Sequence, residues 1–257
     1  MKVRTLPIIV FRISGKYAHF RRPYTNVSSL SYPFPPRPTI AGLLGAILGV
    51  EKAKVAETFE ENNLKVAVVI EKQTKTITHV TNFRQDGIGG ISYSIRKPKK
   101  GWKPKELKNI PPYNEATQIP MELIREPSFL IYVHLSDNRN FEDLLFRLQT
   151  GRYVYTPCLG LSEFLAHIEF VTFTSAIRLS AKEYEVASVI AKEDCSLIRE
   201  KLDAKRHQVQ ELKAPYIGTS TREFTYKRYL CNMFCDSLPV IMKVDVYKIN
   251  NTIISFL

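Results

Sequence analysis

The sequence lacks any apolar run long enough to cross a membrane. Its longest run, residues 40–50, has 11 residues and contains three glycines, whereas a membrane-spanning helix needs about 20 apolar residues. The first residues carry charge, but a strand-like stretch with Pro7 follows, and no small-residue cleavage site of a signal peptide is evident. We therefore expect a cytoplasmic protein that has no membrane partner.

The sequence is also poor in patterns that bind metals or cofactors. Its four cysteines include no C-x-x-C pair, so we expect buried reduced thiols rather than a zinc site or a disulfide framework. Gly87, Gly89 and Gly90 are not followed by Lys-Ser/Thr and have no strand-to-helix context. Carboxylate clusters are missing as well. We expect no metal, no cofactor and no small-molecule substrate.

Acidic residues are outnumbered, and this imbalance is the main compositional clue. Lys and Arg total 37 against 25 Asp and Glu, which gives a net charge of +12. Such a surplus attracts phosphates over a long range, so nucleic acid is the first partner to consider. A basic protein of a thermophile, or a subunit whose charge faces acidic neighbours, would have the same composition.

Half of this excess charge lies in one segment. Residues 84–113 contain eight Lys or Arg against Asp86 and Glu106. Aromatic side chains interleaved with cations are typical of surfaces that bind single-stranded nucleic acid, although a solvated basic loop without a partner is the simpler alternative. The candidate RNA-binding residues here are Arg84, Tyr93, Arg96, Lys97, Lys99, Lys100 and Trp102.

The hydrophobic pattern predicts an α+β fold. Strands are expected at 6–13, 65–71, 129–135 and 166–174, with helices at 39–49 and 141–149. Residues 76–83 are interpreted as the hairpin partner of the second strand. The resulting βαββαβ order is ferredoxin-like or RRM-like. We expect an RRM-like domain at 1–174 with a basic thumb insertion at about 84–120, and a β-rich C-terminal extension at 175–257 packed on that domain.

The first predicted helix has two different faces. Thr39 is its expected N-cap, and Ile40, Leu43, Leu44 and Ile47 form an apolar stripe. The opposite stripe contains Gly42 and Gly45, and a glycine within a helix costs roughly 1 kcal/mol relative to alanine. Either close packing against a neighbouring element or the approach of RNA would explain these glycines.

Three stretches carry a resemblance to a known family: SYPFPPRPTIAGLLGAILG (31–49), QIPMEL (118–123) and YTPCLGLSE (155–163). Together they resemble the CRISPR-associated Cas five family of the RAMP superfamily, most of all its members from subtype I-B systems. Gly160 lies where RAMP-type proteins place a glycine-rich loop against RNA, but this sequence has only that one glycine between Gly151 and Ala166.

The resemblance implies a subunit of a type I Cascade-type interference complex in antiviral defence. It would bind the 5′ end of crRNA and join Cas seven backbone subunits to a Cas eight large subunit, while a separate Cas six enzyme makes the crRNA. Besides the basic segment, the candidate RNA-binding residues are His19, Arg21, Arg22, Tyr32, Arg37, Gly42 and Gly45.

Relatives from subtype I-C cut pre-crRNA without metal, and the resemblance to them implies a tyrosine, a lysine and a histidine acting together. Here none of the five histidines follows a lysine, so we expect a non-catalytic protein. Only His19, close to Arg21 and Arg22, has an RNA-like setting. A metal-independent endoribonuclease that processes pre-crRNA is the alternative, and an unrelated basic assembly protein is a third interpretation.

Overall fold

The fold is mixed α+β and rich in strands. The computed structural model describes residues 5–23, 28–84, 116–217 and 224–257. Within these ranges the helices are α1 (Arg37–Leu48), α2 (Val55–Thr58) and α3 (Asn138–Thr150). The strands are β1 (Thr5–Ser14), β2 (Tyr17–Ala18), β3 (Leu64–Ile70), β4 (Lys75–Arg84), β5 (Ala116–Arg125), β6 (Ser128–Leu135), β7 (His167–Leu179), β8 (Glu183–Val186), β9 (Ile190–Ala191), β10 (Cys195–Leu197), β11 (Val209–Ile217), β12 (Phe224–Asn232), β13 (Leu238–Met242), β14 (Val246–Ile249) and β15 (Thr252–Ile254).

A six-stranded antiparallel sheet forms the centre of the molecule, in the order β15-β14-β7-β1-β6-β3. Strand β1 is buried on both faces, which explains its nearly continuous apolar sequence. Phe11 and neighbouring residues join the core that contains Leu44 of α1 and Leu144 of α3. On the other face, Val10 packs in a smaller cluster with Tyr247 of β14.

Helix α1 begins two residues earlier than the sequence predicted. Thr39 is not the N-cap; Pro36 precedes the helix, and Pro38 lies in the first turn, where the missing N–H is tolerated because no helical partner exists there. Arg37 is helical although it precedes a proline, a position that usually disfavours the helical conformation. At the other end, Gly49 has φ 80° and donates its N–H to Gly45 O at 2.8 Å.

The prediction that residues 76–83 form a hairpin with the second strand was wrong. Strand β3 pairs with β6, whereas β4 pairs with β5 in a separate three-stranded sheet of order β2-β5-β4. The burial pattern supplies the reason. Strand β3 is apolar on both faces and suits a covered sheet, whereas residues 75–80 of β4 are exposed.

Residues of the C-terminal region share a sheet with the N-terminal strands. Strand β14 pairs with the end of β7, and the expected boundary at 174/175 falls inside β7. Two further sheets, β10-β13-β8 and β11-β12-β9, complete the described fold. The division into two domains stays a prediction. No helix in the described ranges is long and apolar enough to span a membrane.

Candidate functional site

The sheet β2-β5-β4 presents an uncommon combination of side chains on one face. Cross-strand partners are Lys75 and Arg125, then Ile77 and Leu123, and then His79 with Met121. Residues directly opposite each other in an antiparallel pair point to the same face. We call the antiparallel pair β4–β5 the hairpin. We call the following cavity-lining residues the hairpin face: Tyr17, Ile77, His79, Thr81, Met121 and Leu123.

A cavity of about 470 Å³ lies between the hairpin face and the loop of residues 157–166, which contributes Leu161, Glu163 and Phe164. The loop is held by its own backbone, because Leu159 N donates to Phe164 O at 2.7 Å. The rings of Tyr17 and Phe164 lie 6.1 Å apart. The cavity opens to solvent beside Ile77, which is 37% exposed, while Met121 and Leu123 form a buried floor.

Three exposed cations lie at the open end of the hairpin: Lys16, Lys75 and Arg125. The ammonium of Lys16 is 5.8 Å from the centre of the Tyr17 ring. Among the described residues, the ion pair of Arg125 is a long one to Glu126, at 3.8 Å, and Lys75 forms none. This group was not predicted from the sequence, although the alternation at 75, 77, 79 and at 121, 123, 125 could have indicated one shared face.

Gly160 is required by its surroundings in the cavity loop. It has φ 95°, and a Cβ atom there would lie 1.9 Å from the backbone oxygen of His19. The backbone of His19 is held there by a hydrogen bond to the residue before Gly160, because His19 N donates to Leu159 O at 3.0 Å. The close approach that glycine permits here is therefore to this protein's own backbone.

His19 is buried, at 2% exposure. Its Nδ1 lies 2.8 Å from Glu122 O and its Nε2 lies 2.9 Å from Ser29 Oγ, so both ring nitrogens have partners within the chain. Burial lowers the pKa of the imidazole. Direct contact of His19 with RNA stays a prediction, and its burial argues against that contact.

Arg21 and Arg22 lie nearer to the surface than His19. Arg21 is exposed and its backbone bridges to Ser31. Arg22 is partly exposed, donates from Nε to Ser31 O at 2.8 Å and lies over the Tyr32 ring at 5.4 Å. Of the two, Arg21 is the more accessible to a phosphate.

Tyr32 and Arg37 are both almost completely buried. The Nη2 atom of Arg37 donates to the carbonyl oxygens of Phe59, Glu60 and Leu64 at 3.0–3.1 Å. Desolvation lowers the pKa of Arg37 and raises that of Tyr32 to about 12. Both side chains hold the interior together in this conformation, and their assignment to RNA binding stays a prediction.

The two candidate glycines of α1 have different surroundings. A Cβ atom at Gly45 would lie 3.1 Å from Val55 Cγ2 and 3.7 Å from Phe59 Cε2, so packing against α2 explains this glycine. A Cβ atom at Gly42 would meet no atom within 4 Å, and Gly42 is exposed. Of the two, only Gly42 lies where a partner could approach.

Most of the basic segment lies outside the described residues, including Tyr93, Arg96, Lys97, Lys99, Lys100 and Trp102. Arg84 ends β4. All four cysteines are free, and burial raises the pKa of the Cys231 thiol to about 12. Within the described ranges, no group of three or more His, Cys, Asp or Glu is placed to hold a metal ion.

A protein-family model described as CRISPR-associated protein (Cas_Cas5) matches residues 8–228. This range runs from within β1 into β12 and includes the β4–β5 pair and the cavity loop. The chain belongs to the Cas five family. No curated protein matches this Cas five chain.

Two solved structures share the fold of this Cas five protein. A CRISPR protein from Archaeoglobus fulgidus has a TM-score of 0.53 at 11% identity, over 96% of this chain and 98% of its own. A chain of a CRISPR RNA-guided surveillance complex has a TM-score of 0.50 at 12% identity, over 90% of this chain and 91% of its own. At these identities the similarity is one of fold.

Proposed function

We propose that this Cas five protein is a non-catalytic RNA-binding subunit of a type I Cascade-type complex, binding the 5′ end of crRNA. The observation that carries the proposal is the family match, because it spans the hairpin and the cavity loop together. We further propose Cas seven backbone subunits and a Cas eight large subunit as partners, and subtype I-B as the system.

The topology fits this proposal. Strands β1, β3, β6 and β7 are separated by helices in the order βαββαβ, and they lie in the sheet as β7-β1-β6-β3 with antiparallel neighbours. We infer from this order that the core is ferredoxin-like. The thumb insertion then leaves the core between its second and third strands, through β4 and β5.

The charge distribution supports RNA as the ligand. The net charge is +12, and half of it lies in residues 84–113. Among the described residues, Lys16, Lys75 and Arg125 add positive charge beside the cavity, at the opposite end of the β4–β5 pair from Arg84. Phosphate contacts of this kind give an affinity that falls steeply with salt.

The test measures the affinity of the full chain for crRNA at several salt concentrations. A variant with Arg96, Lys97, Lys99 and Lys100 changed to Glu should bind more weakly. Its slope of log affinity against log salt should become shallower by about 0.7 for each phosphate that the variant no longer neutralises.

A matched control changes four exposed cations elsewhere, Lys182, Arg199, Lys205 and Lys248, to Glu. It has the same net charge as the first variant and should keep a slope close to that of the natural protein. Equal losses of affinity in the two variants would mean that net charge alone attracts the RNA. No binding of crRNA by the natural protein would refute the proposal.

A further inference from the structure

We infer that the cavity between the hairpin face and the 157–166 loop receives one unstacked nucleobase of the bound RNA, with an adjacent phosphate held between Lys75 and Arg125. This inference rests on the proposed function, because it assigns a ligand group to a site that RNA must first reach. It concerns the described residues alone and does not depend on the basic segment.

The shape and the lining of the cavity suit a flat aromatic group. Its volume of about 470 Å³ lies within the usual range of ligand clefts, about 300–1,000 Å³. The buried floor of Met121 and Leu123 is apolar, and the rings of Tyr17 and Phe164 stand beside it. Proteins that bind single strands place bases on aromatic and apolar surfaces of this kind.

The polar groups of the lining are few, and they suit the edge of a base. His79 and Thr81 follow each other at a spacing of two on β4, and Glu163 lies in the opposing loop. The Glu163 carboxylate accepts hydrogen bonds when ionised. Guanine presents two adjacent donors, N1–H and N2–H, to a carboxylate, whereas uracil presents only N3–H, so we expect guanine to bind better than uracil.

The position of the phosphate in this inference follows from Lys75 and Arg125. They are directly opposite each other in the β4–β5 register, and like charges in that position destabilise a sheet. An anion between them would remove this cost. Their row adjoins that of Ile77 and Leu123 on the same face, so the phosphate would lie next to the mouth of the cavity.

A side chain of a protein partner is a weaker match. An apolar side chain would cover Met121 and Leu123, but it would bring no negative charge to the facing cations Lys75 and Arg125. A nucleotide supplies both the flat apolar group and the negative charge. The partner alternative is therefore treated as one outcome of the experiment.

The experiment compares two tryptophan variants in the full chain. Ile77→Trp fills the cavity, whereas Val80→Trp places the same indole on the same strand at an exposed position, 52% accessible, outside the cavity lining. A series of crRNAs, each with 2-aminopurine at one position of the 5′ segment, reports by fluorescence which base changes environment on binding.

We expect one position with a distinct fluorescence change in the natural protein and in Val80→Trp, which is lost in Ile77→Trp. An abasic nucleotide at that position should weaken binding to the natural protein by about 5- to 150-fold, the range for one stacked base, and should weaken binding to Ile77→Trp much less. Uracil there should bind more weakly than guanine.

The phosphate is tested with Lys75→Gln and Arg125→Gln combined. An RNA with a neutral methylphosphonate next to the identified base should bind the natural protein more weakly than normal RNA does. That difference should disappear in the double variant.

The outcomes separate the two proposals. If crRNA binds with salt dependence but no position responds, or the response persists in Ile77→Trp, the nucleobase inference is wrong and the proposed function stands. If Ile77→Trp keeps the response but no longer joins Cas seven subunits, the cavity holds a partner's side chain. If the natural protein binds no crRNA, both proposals fail.

Discussion

At the scale of single residues, Arg37 shows how the proline-rich segment before α1 is anchored. Its guanidinium is 1% exposed, and one nitrogen bonds three carbonyl oxygens around the end of α2 and the start of β3. The ring of Tyr216 lies 5.0 Å away and covers the cation. The side chain thus ties α1, α2, β3 and β11 together.

We predict that Arg37→Ala lowers the free energy of unfolding by about 1.5–3 kcal/mol, because a hydrogen bond to a charged group contributes about that much, while Nε and Nη1 are buried without a hydrogen-bond partner among the described residues. The free energy of unfolding of Arg37→Lys should lie between those of the natural protein and Arg37→Ala, since one ammonium cannot reproduce the guanidinium geometry. Urea unfolding of the purified chain measures both.

Arg21→Ala is the matched control for Arg37. Arg21 is exposed, so its removal should change the free energy of unfolding by no more than about 0.5 kcal/mol. If Arg37→Ala unfolds at the same urea concentration as the natural protein but binds crRNA more weakly, Arg37 is an RNA ligand after all.

His19 makes stability depend on pH. Burial lowers its folded-state pKa below the unfolded value of about 6.5, so below that pH the unfolded chain binds more protons than the folded one. The free energy of unfolding should therefore fall as pH drops from about 7 until the folded-state pKa is reached, by at most about 1.4 kcal/mol per pH unit.

His19→Gln should make this pH dependence weaker in urea titrations at about pH 7 and about pH 5.5. A residual dependence of the same sign is expected, because burial also lowers the pKa of His134. Glu71 and Asp236, whose pKa values are lowered, act only at more acidic pH. An identical pH dependence in His19→Gln would contradict the assignment.

At the scale of elements, the two glycines of α1 give a matched pair of variants. Gly45→Leu should destabilise the fold by about 1–3 kcal/mol because it overpacks the contact with Val55 and Phe59. Gly42→Leu meets nothing within 4 Å and replaces a poor helix former, so it should add up to about 1 kcal/mol. Thermal unfolding of both variants checks this, and an equal loss of stability in the two would contradict it.

The hydrophobic pattern of the sequence predicted the positions of most helices and strands, but it did not predict the strand partner of β4 or the N-cap of α1. The long apolar runs of β1 and β6 and the amphipathic α3 lie close to where periodicity placed them. The partner of β4 was wrong because two strands separated by a short turn suggest a hairpin, whereas tertiary burial pairs β3 with β6. The one local sign of the observed pairing is that β3 is apolar on both faces whereas β4 is exposed over residues 75–80.

At the scale of the whole molecule, the features that could not be predicted from the sequence depend on contacts between residues far apart in the chain. Strands β14 and β15 extend a sheet whose centre is β1, more than 200 residues earlier in the chain. The cavity likewise combines residues 17, 77–81, 121–123 and 161–164. Each contributor has an ordinary local pattern, and only the fold brings the hairpin face and the loop together. The buried positions of His19 and Arg37 were hidden for the same reason.

The last prediction is that the whole protein does not cut pre-crRNA. No histidine follows a lysine, and both ring nitrogens of His19 are engaged within the chain. His79 is the histidine that lines the cavity. Repeat-containing RNA incubated with the full chain in EDTA should stay intact while it binds with strong salt dependence, and the RNA should stay equally intact with His79→Ala. Specific cutting within the repeat that is lost in His79→Ala would make this protein an endoribonuclease, because a general acid or base typically contributes about 10²- to 10⁴-fold in rate, and its loss would be visible in the assay.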